Sequence, residues 1–199
     1  MPAPDAIAYV RAALPPAPAR VLEIGAGDGA LAQVLRGAGY DVTAIDPVGE
    51  GDVLPVPLLE LAPSEPFDAA VAMTSLHHVE PLEASLCHLA ERLLRPGARL
   101  VVDEYDVAAL DERAARWWLD KVGKQDEDPA HFVAHMRDHI ASVPRLREAL
   151  AVHFDVSEPV PGAYLYRHKL GLEHRAEEER LIAAGEIPAT GSRFIAIRR

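Results

Sequence analysis

The sequence holds a single cysteine, Cys87, in 199 residues. A disulfide framework within the chain is therefore excluded, and a reducing, cytoplasmic setting is the expectation. No run of roughly 18 or more uncharged apolar residues occurs, so no membrane-spanning helix is expected. The opening Met1-Pro2-Ala3-Pro4-Asp5 has no basic stretch leading into an apolar one, so no signal peptide is expected. Positive charge is scarce: 20 Lys and Arg face 31 Asp and Glu, for a net charge of -11. Such a surface repels a phosphate backbone, which argues against a nucleic-acid partner. Internal repeats and low-complexity segments are missing too. What remains is ordinary for a soluble globular chain, at 49% hydrophobic and 26% charged residues. The length suits one domain with a real core, 1–199, and a small appendage.

Short apolar runs bounded by glycine and proline set the rhythm. Residues 5–14 read as a helix stopped by Pro15-Pro16. Arg20–Ile24 is a buried strand by its length and flanks, Ala30–Arg36 a helix and Asp41–Ile45 a second strand, which together make a βαβ unit. Five prolines between 47 and 66 forbid a long helix there. Phe67–Met73 reads as a strand, Leu82–Leu94 as an amphipathic helix ended by Arg95-Pro96-Gly97, and Arg99–Asp103 as another strand. The alternation predicts a doubly wound, mostly parallel sheet in a three-layer α/β sandwich. Residues 107–143 break the rhythm with two helical patterns and no strand, a helical insertion. A last core helix is expected at 145–151. Two late β segments at 153–168, including Tyr164–Tyr166, and 192–198 flank a charged helix around 173–184.

The strongest motif is Glu23-Ile24-Gly25-Ala26-Gly27-Asp28-Gly29-Ala30, at the end of the first strand and the start of a helix. Glycines permit a sharp turn and close approach to a ligand, and the helix start offers unpaired N–H donors. Gly25, Gly27 and Ala30 formally match the dinucleotide fingerprint. Asp46, 21 residues after Gly25, could bind a ribose in that reading or in a methyl-donor reading. Charge separates the two. A pyrophosphate would meet the carboxylates of Glu23 and Asp28, whereas S-adenosylmethionine carries an ammonium and a sulfonium that favour them. A glycine turn with no ligand at all is the plainest alternative.

Four ordered segments carry a family resemblance. Val21–Ala32 (VLEIGAGDGALA) resembles the first motif of class I S-adenosylmethionine-dependent methyltransferases, and Val42–Asp46 (VTAID) the second. Phe67–Val79 (FDAAVAMTSLHHV) resembles the fourth-strand motif, and Leu93–Val102 (LLRPGARLVV) the turn and fifth strand. The resemblance spans residues 20–104, about half the chain. It implies a Rossmann-like fold with an antiparallel last strand, and S-adenosylmethionine as cofactor. It also implies site residues: Gly25, Ala26 and Gly27 against the methionine part, Glu23 on its ammonium, and Asp46 with neighbouring Pro47 at the ribose. Asp52 and Val53 would bracket the adenine, and Thr74 would line the methionine side. The stretch between Asp46 and Phe67 is shorter than in the family, so its helix is reduced and a third strand is missing or very short.

Methyl transfer needs alignment, water exclusion and, for a protonated acceptor, a base. His77 and His78 follow the fourth strand at the sheet's carboxyl edge, where a histidine can deprotonate a hydroxyl or amine. They could equally cap the following turn. Glu104, beside Asp103, Tyr105 and Asp106, ends the fifth strand at the same edge and could orient an acceptor, or simply be a solvated acid. His131, His135 and His139 share a helical face at a metal-capable spacing. Phe132, Met136 and Ile140 form the neighbouring stripe, so no metal is expected and His135 is assigned to the acceptor pocket. Trp117, Tyr105 and Tyr164 are assigned there too, against plain packing roles. Cys87 reads as a small core residue. The expectation is methyl transfer to O, N or C of a small metabolite by a monomer or homodimer, with the 107–143 insertion as a lid. A rearrangement or decarboxylation that uses the cofactor without transfer, or a non-catalytic binding protein, is the alternative.

Overall fold

The computed structural model describes residues 3–63 and 65–199. Its centre is an eight-stranded sheet. The strands are β1 (Arg20–Ile24), β2 (Asp41–Ile45), β3 (Val53–Leu54), β4 (Phe67–Met73), β5 (Leu94–Tyr105), β6 (Phe154–Val156), β7 (Val160–Gly162) and β8 (Gly191–Arg198). They run in the order β3-β2-β1-β4-β5-β8-β6, with β7 also paired to β8. The first five are parallel, and β8 is antiparallel to β5, β6 and β7.

Helices cover both faces, as the alternation along each strand requires. Val21, Val71 and Val101 point towards α1 (Pro4–Ala13) and α2 (Ala30–Gly37), where Val10, Leu31 and Leu35 meet them. Leu22, Ile24, Ala70, Leu100 and Val102 point the other way, to α3 (Leu82–His88) and α6 (Val143–Leu150). The amphipathic stretch after Leu82 does not stay α-helical to its end. It widens into a π-helical turn over Leu89–Leu93 before β5 begins.

The prolines after β2 act as expected. Among its described residues that stretch holds a turn, the two-residue β3 and a 3-10 turn at Leu58–Glu60. The 107–143 segment forms α4 (Glu112–Lys121) and α5 (Pro129–His139). Asp111 caps α4 by accepting from the Ala114 N–H, and Asp128 caps α5 by accepting from the Ala130 N–H. Pro129 opens α5, where its missing N–H is no loss.

Above the carboxyl ends of the strands lies a third apolar cluster. It joins Trp118 and Leu119 of α4 and Val133 of α5 to Tyr164, Leu165, Leu181 and Ile187. The last part of the chain thus packs with the α4–α5 pair. One expectation needs correction here. Tyr164–Tyr166 is not a strand: the chain turns as a 3-10 helix over Leu165–Arg167, and the charged segment beyond it forms α7 (Arg175–Ala183). The cause is Glu178 of α7, fully buried, whose carboxylate accepts the N–H groups of Tyr164, Leu165 and Tyr166 at 2.8, 2.9 and 2.8 Å. Three successive amides drawn to one side chain bend the backbone and leave none for a ladder. Among the described residues, no helix is long and apolar enough to cross a membrane.

Candidate functional site

The glycine loop leaves β1 and turns directly over the end of β4. Gly25 has φ +69°, and a Cβ placed on it would lie 2.3 Å from the Ser75 Cβ. Only glycine combines that φ with that approach. Ser75 closes the contact by donating its hydroxyl to the Ile24 carbonyl at 2.6 Å. Thr74 beside it also has a positive φ of 56°, uncommon for a β-branched residue, and its N–H is bonded to the Asp103 carbonyl at 2.7 Å. Strain held by the surrounding sheet thus sits where three of the molecule's cavities meet.

Three cavities share Thr74. The first, of about 330 Å³, lies between Glu23, Gly25 and Ala26 on one side and Tyr166 and Arg167 on the other. The second, of about 500 Å³, runs past Gly27, Asp46 and Pro47 to an apolar wall of Val48, Val56 and Leu58. The third, of about 330 Å³, is lined by His77, Tyr105, Phe132, Met136, Tyr164 and His168. Glu23, Gly25, Ala26, Gly27, Asp46, Pro47 and Thr74 therefore fall along one continuous crevice at the carboxyl edge of the sheet, as in open α/β sheets generally.

Glu23 is 4% exposed, and its Oε2 has no hydrogen-bond partner among the described residues. Burial pushes its pKa up to about 7, and nearby Asp28 adds to the rise. A backbone N–H bond from Ala32 and the charge of Arg36 oppose it. A buried carboxyl with an unused oxygen is a site waiting for a cation. Asp46 is arranged differently. Its Oδ2 accepts the Gly27 N–H at 3.0 Å and its Oδ1 the Val48 N–H at 3.0 Å, so both oxygens are fixed and each keeps a lone pair for a ligand hydroxyl.

Glu104 is fully buried. It accepts the Leu76 N–H at 3.1 Å, the Tyr105 N–H at 2.8 Å and a bond from His77 Nδ1 at 2.5 Å. Glu104 does not line the acceptor-side cavity, against the expected contact with an acceptor; the side chain it bonds there is His77. With Nδ1 donating to the carboxylate, Nε2 of His77 is the ring's free nitrogen. His78 is largely exposed, with its ring 4.0 Å from that of His77. Partial burial and the neighbouring His77 lower its pKa, against a smaller opposing pull from Glu104.

Tyr105 and Tyr164 stack at 4.7 Å with an interplanar angle of 17°. Burial raises the pKa of both phenols, so both stay protonated. The Tyr105 hydroxyl is buried without a partner among the described residues. Four other expected site residues lie outside the linings of the three cavities. Trp117 lies outside the cavity, with its Nε1 donating to Glu177 at 3.4 Å. Trp118 instead is buried, stacked on Phe132 and bonded to the His168 carbonyl at 2.7 Å. His135 is exposed against His139, and Phe132, Met136 and Ile140 face inward in its place. Asp52 is exposed and Val53 is packed into the α2-side core, so neither is among the residues lining the second cavity. The apolar wall of the second cavity is formed instead by Val48, Val56 and Leu58.

Ser75, Arg167, His168 and Glu178 were not expected from the sequence. Ser75 had a signal, because it follows Thr74 in the fourth-strand motif. The others depend on the 3-10 turn and had none.

A glycine-lined crevice at the carboxyl edge of a doubly wound sheet, ending in a buried carboxyl with a spare oxygen, defines a cofactor-binding α/β protein with an acceptor cavity alongside. Residues 3–151 match the family model described as a methyltransferase domain, and the chain belongs to that family. An uncharacterised methyltransferase of Mycobacterium tuberculosis is 40% identical over 109 residues, covering 49% of this chain and 43% of that protein. A ubiquinone biosynthesis O-methyltransferase of Xanthomonas axonopodis pv. citri is 33% identical over 114 residues, 49% of this chain and 47% of that protein. The match thus spans about half the length of these relatives or less. Among solved structures, the fold is similar to Burkholderia thailandensis 1,6-didemethyltoxoflavin-N1-methyltransferase with 1,6-didemethyltoxoflavin and S-adenosylhomocysteine bound. The TM-score is 0.59 and the identity 20%, covering 98% of this chain and 77% of that one. S-adenosylmethionine is the cofactor this family implies. The residues fit it: Glu23 offers an unpaired buried oxygen to an ammonium, Asp46 two fixed oxygens to ribose hydroxyls, and Val48, Val56 and Leu58 an apolar wall to a base.

Proposed function

We propose that this protein transfers a methyl group from S-adenosylmethionine to an oxygen or nitrogen of a small, largely apolar metabolite, as a cytoplasmic monomer or homodimer. The observation that supports this most is the buried His77–Glu104 pair, which opens on a cavity meeting the cofactor crevice at Thr74. When bound, the cofactor supplies a methyl carbon already activated by its sulfonium. Glu23 balances the charge of the amino-acid end, and Asp46 fixes the ribose. His77 takes the acceptor's proton on Nε2, and Glu104 stabilises the imidazolium that results. Tyr105, Tyr164, Phe132 and Met136 line the acceptor cavity, orient a small ring and keep water out. A cavity of about 330 Å³ has room for a small metabolite.

The test is incubation with methyl-labelled S-adenosylmethionine and a metabolite extract. Label in a small molecule, together with stoichiometric S-adenosylhomocysteine, is expected. Substrate turnover with the label still on the donor would refute methyl transfer.

A further inference from the structure

The cavity above Glu23 is closed from the far side by Tyr166 and by Arg167, which no motif of the sequence singles out. Both ride on the 3-10 turn that Glu178 pins through three amides. Arg167 is held in place with unusual completeness. Its Nε donates to the Tyr166 hydroxyl at 3.1 Å, its Nη1 to Asp103 Oδ1 at 3.0 Å and its Nη2 to Asp5 Oδ2 at 3.5 Å. The two carboxylates are themselves braced: Arg193 bonds both, at 2.9 Å to Asp103 and 2.7 Å to Asp5, and Arg175 bonds Asp5 at 3.0 Å.

A guanidinium has five N–H donors in a rigid plane. Three are engaged here, so one on each terminal nitrogen has no partner among the described residues. The side chain is 14% exposed and borders the cavity. Across the same 330 Å³ space stands Glu23 with its unpaired oxygen. A carboxyl that an ammonium would ionise on one wall and a fixed, under-used cation on the other match a group bearing both charges one carbon apart. That is the ammonium and carboxylate of a free amino-acid end.

We propose that Arg167 binds the α-carboxylate of the cofactor's amino-acid end, so that the C-terminal turn, outside the glycine motif, completes the cofactor site. The same turn presents Tyr164 and Leu165 to the acceptor cavity, so one short segment forms a wall of both. This inference rests on the cofactor lying in the crevice at Thr74.

The test compares S-adenosylhomocysteine with its decarboxylated analogue by titration calorimetry. The wild type is expected to bind S-adenosylhomocysteine about 10- to 100-fold more tightly than the analogue. Arg167→Gln, which can still donate to Asp103, is expected to bind the two alike. Arg167→Leu provides a second substitution if the first does not fold. Arg175→Gln loosens the same ion-pair network without touching the cavity and is expected to keep the wild-type preference. A preference that survives in both Arg167 variants overturns the proposal. So does its absence from the wild type, or a loss in Arg175→Gln as complete as in Arg167→Gln. Failure of both ligands to bind the wild type would sink the cofactor reading as well.

Discussion

Glu23 is where stability and binding pull against each other, and Glu23→Gln separates them. In the unfolded chain this carboxyl releases its proton near its ordinary value of 4.5, whereas in the folded protein burial delays release to about 7. Between those values the folded state holds a proton that the unfolded state has lost. Stability therefore falls as pH rises through that window, by about 3 kcal/mol in all. Glutamine keeps the shape and a carbonyl for the Ala32 N–H but never ionises. The variant should thus match the wild type near pH 4.5 and exceed it by up to about 3 kcal/mol at pH 8, measured by urea denaturation. Cofactor binding should move the opposite way. An ammonium favours the ionised carboxyl, so below pH 7 binding must first remove a proton. The wild-type affinity for S-adenosylhomocysteine should rise by up to about tenfold per pH unit towards pH 7 and then level off. Glu23→Gln should bind more weakly, with no such slope. Equal denaturation midpoints at pH 8, or a wild-type affinity flat between pH 5.5 and 7.5, would refute the reasoning.

Gly25→Ala forces a Cβ against Ser75 at a positive φ and should destabilise the fold by about 2–3 kcal/mol, read from denaturant midpoints. Asp46→Ala removes the partner of the Gly27 and Val48 N–H groups and should weaken S-adenosylhomocysteine by about 10- to 100-fold in calorimetry. His77→Asn should leave that affinity within about twofold while lowering kcat by about 100- to 10,000-fold in single-turnover assays. Unchanged kcat would remove His77 from the chemistry. Glu104→Gln should lower kcat less and move the pH–rate profile, since it acts on His77 from behind; an unmoved profile would make Glu104 purely structural.

The strands β1, β2 and β4 were readable to the residue because each is a short apolar run bounded by glycine, proline or charge. The glycine loop and Asp46 were readable because their chemistry is local. The errors share a cause in tertiary contact. Tyr164–Tyr166 alternates like a strand, but a glutamate twelve or more residues away takes its amides. Asp52 and Val53 were expected at the adenine from the family resemblance, but the two-residue β3 draws Val53 into the core. The apolar wall passes instead to Val48, Val56 and Leu58. Between Trp117 and Trp118, about 100° apart on one helix, the inward position was decided by Phe132 and His168, which pack against Trp118. On α5 the histidines flank the stripe that faces the cavity, and Phe132, Met136 and Ile140 form it.

The central claim is that cofactor and acceptor meet at Thr74, with His77 on the acceptor side. A crystal structure with S-adenosylhomocysteine bound tests it most directly. The account predicts the ribose on Asp46, the base against Val56 and Leu58, and the sulfur beside Thr74 facing the His77 cavity. A sulfur turned away from that cavity, or a ligand bound outside the glycine crevice, would contradict it.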